Sequence, residues 1–219
     1  MRYQFLRFPG GKPKAVTFSY DDGCIEDIRF SQILTKHKLK GTFNLNCDVL
    51  RKGSGLSQAD VEEYLLAKGH EIAVHGQLHR AEGGMRPIEG IRDVLECRLE
   101  LEKKYGRIIR GMAYPYGTYS KEFTHTLRDC GVAYARTVES THRFDIPNDW
   151  LTLPATCHHK DPELMNLARK FAEGKPYRPQ MFYLWGHSYE FEADNNWHVI
   201  EEFAEYIGHR DDIWYATNI

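Results

Sequence analysis

Alternation is the feature that most limits the folds open to this chain. Short apolar runs rich in β-branched and aromatic residues occur at 15–20, 41–46, 70–74, 109–114, 133–138, 180–185 and 213–216. Longer stretches with helical periodicity fill the gaps at 26–37, 58–68, 87–105, 121–130, 162–173 and 196–208. Pro87 stands where a first helical turn tolerates proline. Strands separated by helices pair in parallel, because only a crossover helix returns the chain to the same end of a sheet. About seven such units, with no Pro/Gly/Ser-rich linker and no repeat, predict one domain over residues 1–219. The expected fold is α/β, a distorted (β/α) barrel of about seven parallel strands. An open doubly wound sheet is the alternative, although no GxGxxG turn follows the first strand. The segment 139–159 is irregular and reads as a long surface loop with a short strand near 151–153.

Barrels of this kind carry their chemistry where strands end at the carboxyl rim, so the strand ends are the places to read. The first run, VTFSYDDGC, ends in Asp21-Asp22-Gly23. By itself this is a turn, with Asp22 available to cap the helix predicted near Ile25. The third run leads into AVHGQLH, with His75 and His79; a chain with 11 histidines can hold an HxxxH by chance. The fourth ends in GMAYPYG, where Pro115 removes one donor and leaves the Tyr116 amide to face a ligand, or else packs two tyrosines around a proline turn. The sixth places His187 just past Trp185-Gly186, and the long loop carries Asp145, Asp149 and Trp150. Each signal is weak alone, but a barrel brings four of them to one rim. Two imidazoles and one carboxylate make a common divalent-metal set that leaves room for water and substrate. The second aspartate is then free to act as a base.

Other classes fit less well. A net charge of −2 and a pI near 6.6 give no general reason to bind nucleic acid or an anionic membrane. No apolar run is long enough to span a bilayer. Met1-Arg2-Tyr3-Gln4-Phe5 lacks the apolar core of a secretory leader, so a cytoplasmic location is expected unless a leader has been removed. Cys24, Cys47, Cys97, Cys130 and Cys157 are odd in number and form no CxxC pair, which favours reduced packing cysteines.

The ordered motifs from Ser19 to His187 resemble those of the polysaccharide deacetylases, the fourth family of carbohydrate esterases. Ser19-Tyr20-Asp21-Asp22-Gly23 is similar to the family's Thr-Phe-Asp-Asp-Gly. His75 to His79 is similar to its His-Ser/Thr-x-x-His, and Pro115-Tyr116 to the end of its third motif. Asp149-Trp150 resembles the fourth motif, and His187 the Leu-x-His strand end of the fifth. The resemblance implies Asp21 as general base and His187 as general acid. It implies Asp22, His75 and His79 as ligands of a divalent metal, zinc first, with Co2+, Ni2+ or Mn2+ as alternatives. It also implies the Tyr116 amide, set up by Pro115, as an oxyanion donor. In that scheme Asp149 would orient His187, and Trp150, Tyr114 and Trp185 would offer flat faces to a sugar ring.

Two departures stand out. The family's arginine two residues before the third-motif proline is Ala113 here, with Arg110 or Arg136 as possible substitutes; Gly76 replaces the usual Ser/Thr, so a hydrogen bond in that loop is expected to be lost. The expected activity is removal of an acetyl group from an N- or O-acetylated sugar. Hydrolysis of a small amide, open or cyclic, on the same barrel is an alternative, as is a non-catalytic carbohydrate-binding homologue. A non-haem iron oxygenase would use similar ligands, but the run of short strands of a jelly roll is absent. His158 and His159 read as loop residues.

Overall fold

Strand β1 (Lys14–Asp22) is the axis of the molecule in the computed structural model, which describes residues 6–219; residues 1–5, on which the leader expectation rests, lie outside the described residues. Its side chains are buried on both faces, as a parallel strand inside a barrel requires. Phe18 and Tyr20 point outward to the helices, where Phe18 meets Phe30 and Phe203 edge-on and Tyr20 stacks on Phe30 at 3.8 Å between centroids. The alternate residues, Thr17, Ser19 and Asp21, face the barrel interior, since side chains alternate along a strand. Thr17 bonds to Asn218 there, and Ser19 and Asp21 to Asn44.

The remaining strands are β2 (Thr42–Leu45), β3 (Glu71–Val74), β4 (Gly111–Ala113), β5 (Tyr134–Ser140), β6 (Leu153–Ala155), β7 (Cys157–His158), β8 (Gln180–Gly186) and β9 (Ile213–Tyr215). Their order is β6-β5-β4-β3-β2-β1-β8-β7, all parallel, with β9 paired to the first residues of β1. Because β6 and β7 are successive parts of one stretch, the two ends of that path meet. The result is a nearly closed barrel of eight parallel strands, close to the seven expected.

The predicted runs all contain strands. The segment 139–159 contains β6, which overlaps the short strand expected near 151–153 at Leu153, and β7, which had no counterpart in the sequence reading; the two close the barrel. With three and two residues, these strands are too short to show a period.

Helices α1 (Asp27–Lys36), α2 (Cys47–Lys52), α3 (Gln58–Asp60, continuing as a π-helical turn through Leu66), α4 (Pro87–Tyr105), α5 (Lys121–Asp129), α6 (Leu164–Glu173), α7 (Tyr189–Ala193) and α8 (His198–Ile207) surround the sheet. Helix α4 follows the sequence reading, starting on Pro87 and stopping at Gly106 in the left-handed region. Two short helices, α2 and α7, had no sequence counterpart. Asn46 caps α2, its side chain accepting from the Val49 amide at 3.0 Å. No helix among the described residues is long and apolar enough to cross a membrane.

Candidate active site

The Asp21-Asp22 pair is not a helix cap. It ends β1, and α1 begins five residues later at Asp27. Asp21 keeps the inward direction of Ser19, while Asp22 has φ 83°, in the left-handed region that aspartate tolerates better than bulkier residues. The two carboxylates therefore leave the strand in different directions and acquire different neighbours.

Asp22 meets the histidines that follow β3. Its Oδ1 lies 3.4 Å from His79 Nε2 and 3.6 Å from His75 Nε2, and the two imidazole nitrogens are 3.1 Å apart. Ligands about 2.0–2.1 Å from a tetrahedral cation are themselves about 3.4 Å apart, so this triangle has the size a divalent metal needs. The tautomer agrees. His75 Nδ1 is 2.9 Å from the Ala113 carbonyl, which can only accept, so the proton sits on Nδ1 and the Nε2 lone pair faces the triangle. The His75 lone pair and the Asp22 carboxylate oxygen thus meet at this triangle, with His79 Nε2 within 3.4 Å of both. The residues fit a divalent metal.

Asp21 is built differently. Asn44, its register partner on β2, donates to Oδ1 at 2.8 Å, and the Arg136 guanidinium donates to Oδ2 in a fully buried ion pair. Arg136 also donates to Ser19 Oγ and to the Thr137 carbonyl, and its guanidinium lies over the Trp185 ring at 4.5 Å. Burial opposes ionisation of Asp21, but Arg136, with His75 and His187, outweighs it and holds the carboxyl at about 2. Asp21 Oδ2 lies 3.8 Å from His75 Nε2 and 4.0 Å from His187 Nε2. It is thus an ionised carboxylate between the metal-sized triangle and a third imidazole.

Comparison with known proteins bears on what such a rim is. A family model described as polysaccharide deacetylase matches residues 9–135. The chain belongs to the polysaccharide deacetylase family. It is 25% identical over 142 residues to a chitooligosaccharide deacetylase of Bradyrhizobium sp. (strain ANU 289), covering 63% of this chain and 59% of the relative's length. Among solved structures, the chitin deacetylase of the fungal pathogen Colletotrichum lindemuthianum is similar in fold, with TM-score 0.63 and 16% identity over 94% of this chain and 85% of that one. So is wild-type BA3943 of Bacillus anthracis, a pseudoenzyme of the fourth carbohydrate esterase family, with TM-score 0.58, 17% identity and coverage of 90% and 62%.

Within the polysaccharide deacetylase pattern, the absent arginine has a structural answer. Ala113 on β4 is the register partner of Arg136 on β5, so the guanidinium comes from the next strand. Arg110 points elsewhere, exposed and bonded to the Gly131 carbonyl. Gly76 is explained by its backbone, with φ 78°. Its carbonyl accepts from the Cys47 amide and the Asn46 side chain, each at 3.3 Å, and the next amide, Gln77, donates to Asp93. That loop is held by bonds from neighbouring elements.

Pro115 and Tyr116 form a tight turn at the rim, with Tyr116 at φ 57° and its exposed ring edge-on to His79 at 4.6 Å. Gly117 completes it; a Cβ there would come within 2.4 Å of Val138. His187 lies beside Asp21 as expected.

Four of the other expectations need correction. Asp149 is exposed and caps the turn at 150–152, accepting from the Leu151 amide and pairing with Arg128 at 3.5 Å; the carboxylate on His187 is Glu190. Trp150 lies at the opposite, amino end of the barrel, lining a cavity of about 180 Å³ with Ala15, Thr17 and Trp214. Tyr114 is buried between sheet and α5, its hydroxyl donating to the Leu151 carbonyl at 2.7 Å and its ring stacked on Tyr119, so it offers no open face. His158 is not a loop residue but part of β7, and it and His159 gather around Glu190.

Trp185 is partly buried beneath Arg136, with His158 edge-on at 4.6 Å. Sequence reasoning missed Asn44 and Glu190, and it left Arg136 open beside Arg110 as the ion-pair partner. Only strand register could have chosen it.

Proposed function

We propose that the protein is a metal-dependent deacetylase that removes an acetyl group from an N-acetylated sugar or oligosaccharide. The observation that carries this reading is the pair of unlike carboxylates: Asp22 in a metal-sized triangle with His75 and His79, and Asp21 ionised and free of that triangle between it and His187.

Asp22, His75 and His79 would hold the cation, zinc first. When bound, such a cation polarises an acyl carbonyl and acidifies water. Asp21 takes the proton from the attacking water; Asn44 and Arg136 hold its two oxygens and keep it ionised at neutral pH. The Tyr116 amide, set in the Pro115 turn, donates to the developing oxyanion, a contribution of about 3 kcal/mol for one such donor. His187 gives a proton to the departing amine, which otherwise leaves poorly as an anion. The exposed ring of Tyr116 offers an apolar face beside the acyl site, and the relatives' names supply the substrate class: chitooligosaccharide for one and chitin for another.

The pseudoenzyme among the structural neighbours makes a binding-only role the competing reading. The base, the proton donor and the three ligand positions are all present in this chain, which favours catalysis. Acetate release from acetylated chitooligosaccharides, with small cyclic amides in parallel, is the test. Turnover on the sugars that a chelator abolishes and zinc restores is expected. Sugar binding with no acetate released would overturn the catalytic reading, and turnover only on the amides would move the substrate class.

A further inference from the structure

Glu190 lies outside the motifs that carry the family resemblance, yet it is among the most heavily bonded carboxylates in the molecule. Its Oε2 lies 3.2 Å from His187 Nδ1, 3.2 Å from the His187 amide and 3.2 Å from His158 Nε2. Lys160 Nζ lies 3.1 Å from Oε1, and His159 Nε2 is 3.5 Å from Oε2 without forming a hydrogen bond.

His158, His159 and Glu190 have the spacing of a second metal set, but their protons argue otherwise. His158 Nδ1 accepts from the Lys160 amide at 3.1 Å, so its Nε2 carries the proton and points it at Glu190. A lysine ammonium on the other oxygen adds a charge that a cation would have to oppose. The cluster is a ring of donors closing on one anion. Burial works against ionisation of Glu190, but the bonds from His158 and His187 win and hold its carboxyl well below the ordinary range.

We infer that Glu190 is the positioning residue of the proton donor, gripping His187 through Nδ1 so that Nε2, the opposite edge of the ring, is turned to Asp21 and the substrate. This rests on the reading of His187 as the acid. The fold explains how the grip is made rigid. His158 is the last residue of β7 and pairs in register with Trp185, two residues before His187, so closing the barrel delivers a fixed donor to Glu190.

The groups around His187 leave this task to Glu190. Asp21 faces it from β1 but is paired with Arg136; Asp22 would be neutralised by its cation; the His158, Trp185 and Tyr189 rings carry no negative charge. Burial alone would lower the His187 pKa, and Glu190, with Asp21 and Asp22, raises it. A carboxylate in contact shifts an imidazole by about 1–3 pH units.

The test is Glu190→Gln, which keeps the size and removes the charge, with zinc-loaded protein and the ring signals of His187 followed by NMR against pH. The expected result is a fall in the His187 pKa of about one unit or more. The alkaline limb of kcat should move down by a similar amount, and kcat should fall about 10- to 100-fold with KM little changed. Glu190→Asp, which keeps the charge, should restore most of the His187 pKa, and it carries the test if the glutamine variant does not fold. An unchanged His187 titration in Glu190→Gln, or a loss confined to KM, overturns the assignment. If the wild type releases no acetate yet His187 still titrates lower in the variant, the positioning role stands and the deacetylase reading fails.

Discussion

The barrel interior holds a carboxylate near each end, and the two are treated in opposite ways. At the carboxyl rim, Asp21 is answered by a buried guanidinium and an asparagine, and it stays ionised with an imidazole on either side. At the amino end, Glu71 is answered by neutral donors: the hydroxyls of Thr42 at 2.7 Å and Tyr134 at 2.8 Å and the amides of Asn218 and Ile219 at 2.9 and 3.1 Å. Burial raises its pKa despite those bonds. The last residues of the chain thus cover one end, and Glu71 acts as a tie between β2, β3, β5 and that tail. A carboxylate with a cation and open neighbours is equipped for proton transfer, whereas one enclosed by neutral donors is equipped for holding parts together.

The comparison can be broken most forcefully at Asp21. Asp21→Asn should lower kcat by about 10³-fold or more while zinc content by metal analysis stays near one equivalent. Loss of metal instead would mean that the two aspartates have exchanged roles. The substitution also leaves Arg136 buried without its anion, so denaturant unfolding should show a cost of about 3–5 kcal/mol.

Arg136→Met comes next. It should lower activity by about 10- to 100-fold and move the acid limb of kcat/KM to higher pH, because Asp21 loses the cation that depresses its pKa. The sign for stability follows from the same shift. A depressed carboxylate contributes stability that is fully present above its unfolded value near 4 and is lost as pH falls through about 2. That acid-side loss should disappear from unfolding curves of the variant. An unmoved acid limb would leave Arg136 a packing residue.

Glu71→Gln should do least. Turnover should stay within about twofold, and the cost should be about 1–2 kcal/mol from imperfectly replaced hydrogen bonds, read as a drop of a few degrees in Tm. A large loss of turnover there would erase the distinction between the two ends.

Local features carried much of this result. The alternation of short apolar runs with amphipathic ones announced parallel βα units, and Pro87 marked the start of α4 within the chain itself. Asp21-Asp22 and His75 were legible because each stands at the end of a recognisable strand, and His79 because it follows His75 at a four-residue spacing. Strand β6 was legible only as a short strand displaced by two residues, and β7 not at all, since two or three residues show no period and exist as strands only because β5 and β8 supply their partners.

What the sequence determined alone was therefore the order of the elements and the chemical types available at their ends. Tertiary structure decided which of those types meet. Register paired Ala113 with Arg136 and so supplied the guanidinium from a neighbouring strand, and barrel closure brought His158 and Glu190 to His187 while leaving Asp149 and Trp150 elsewhere. Hydrogen-bond partners across strands are set by pairing between distant segments, and no local pattern of residues encodes that choice.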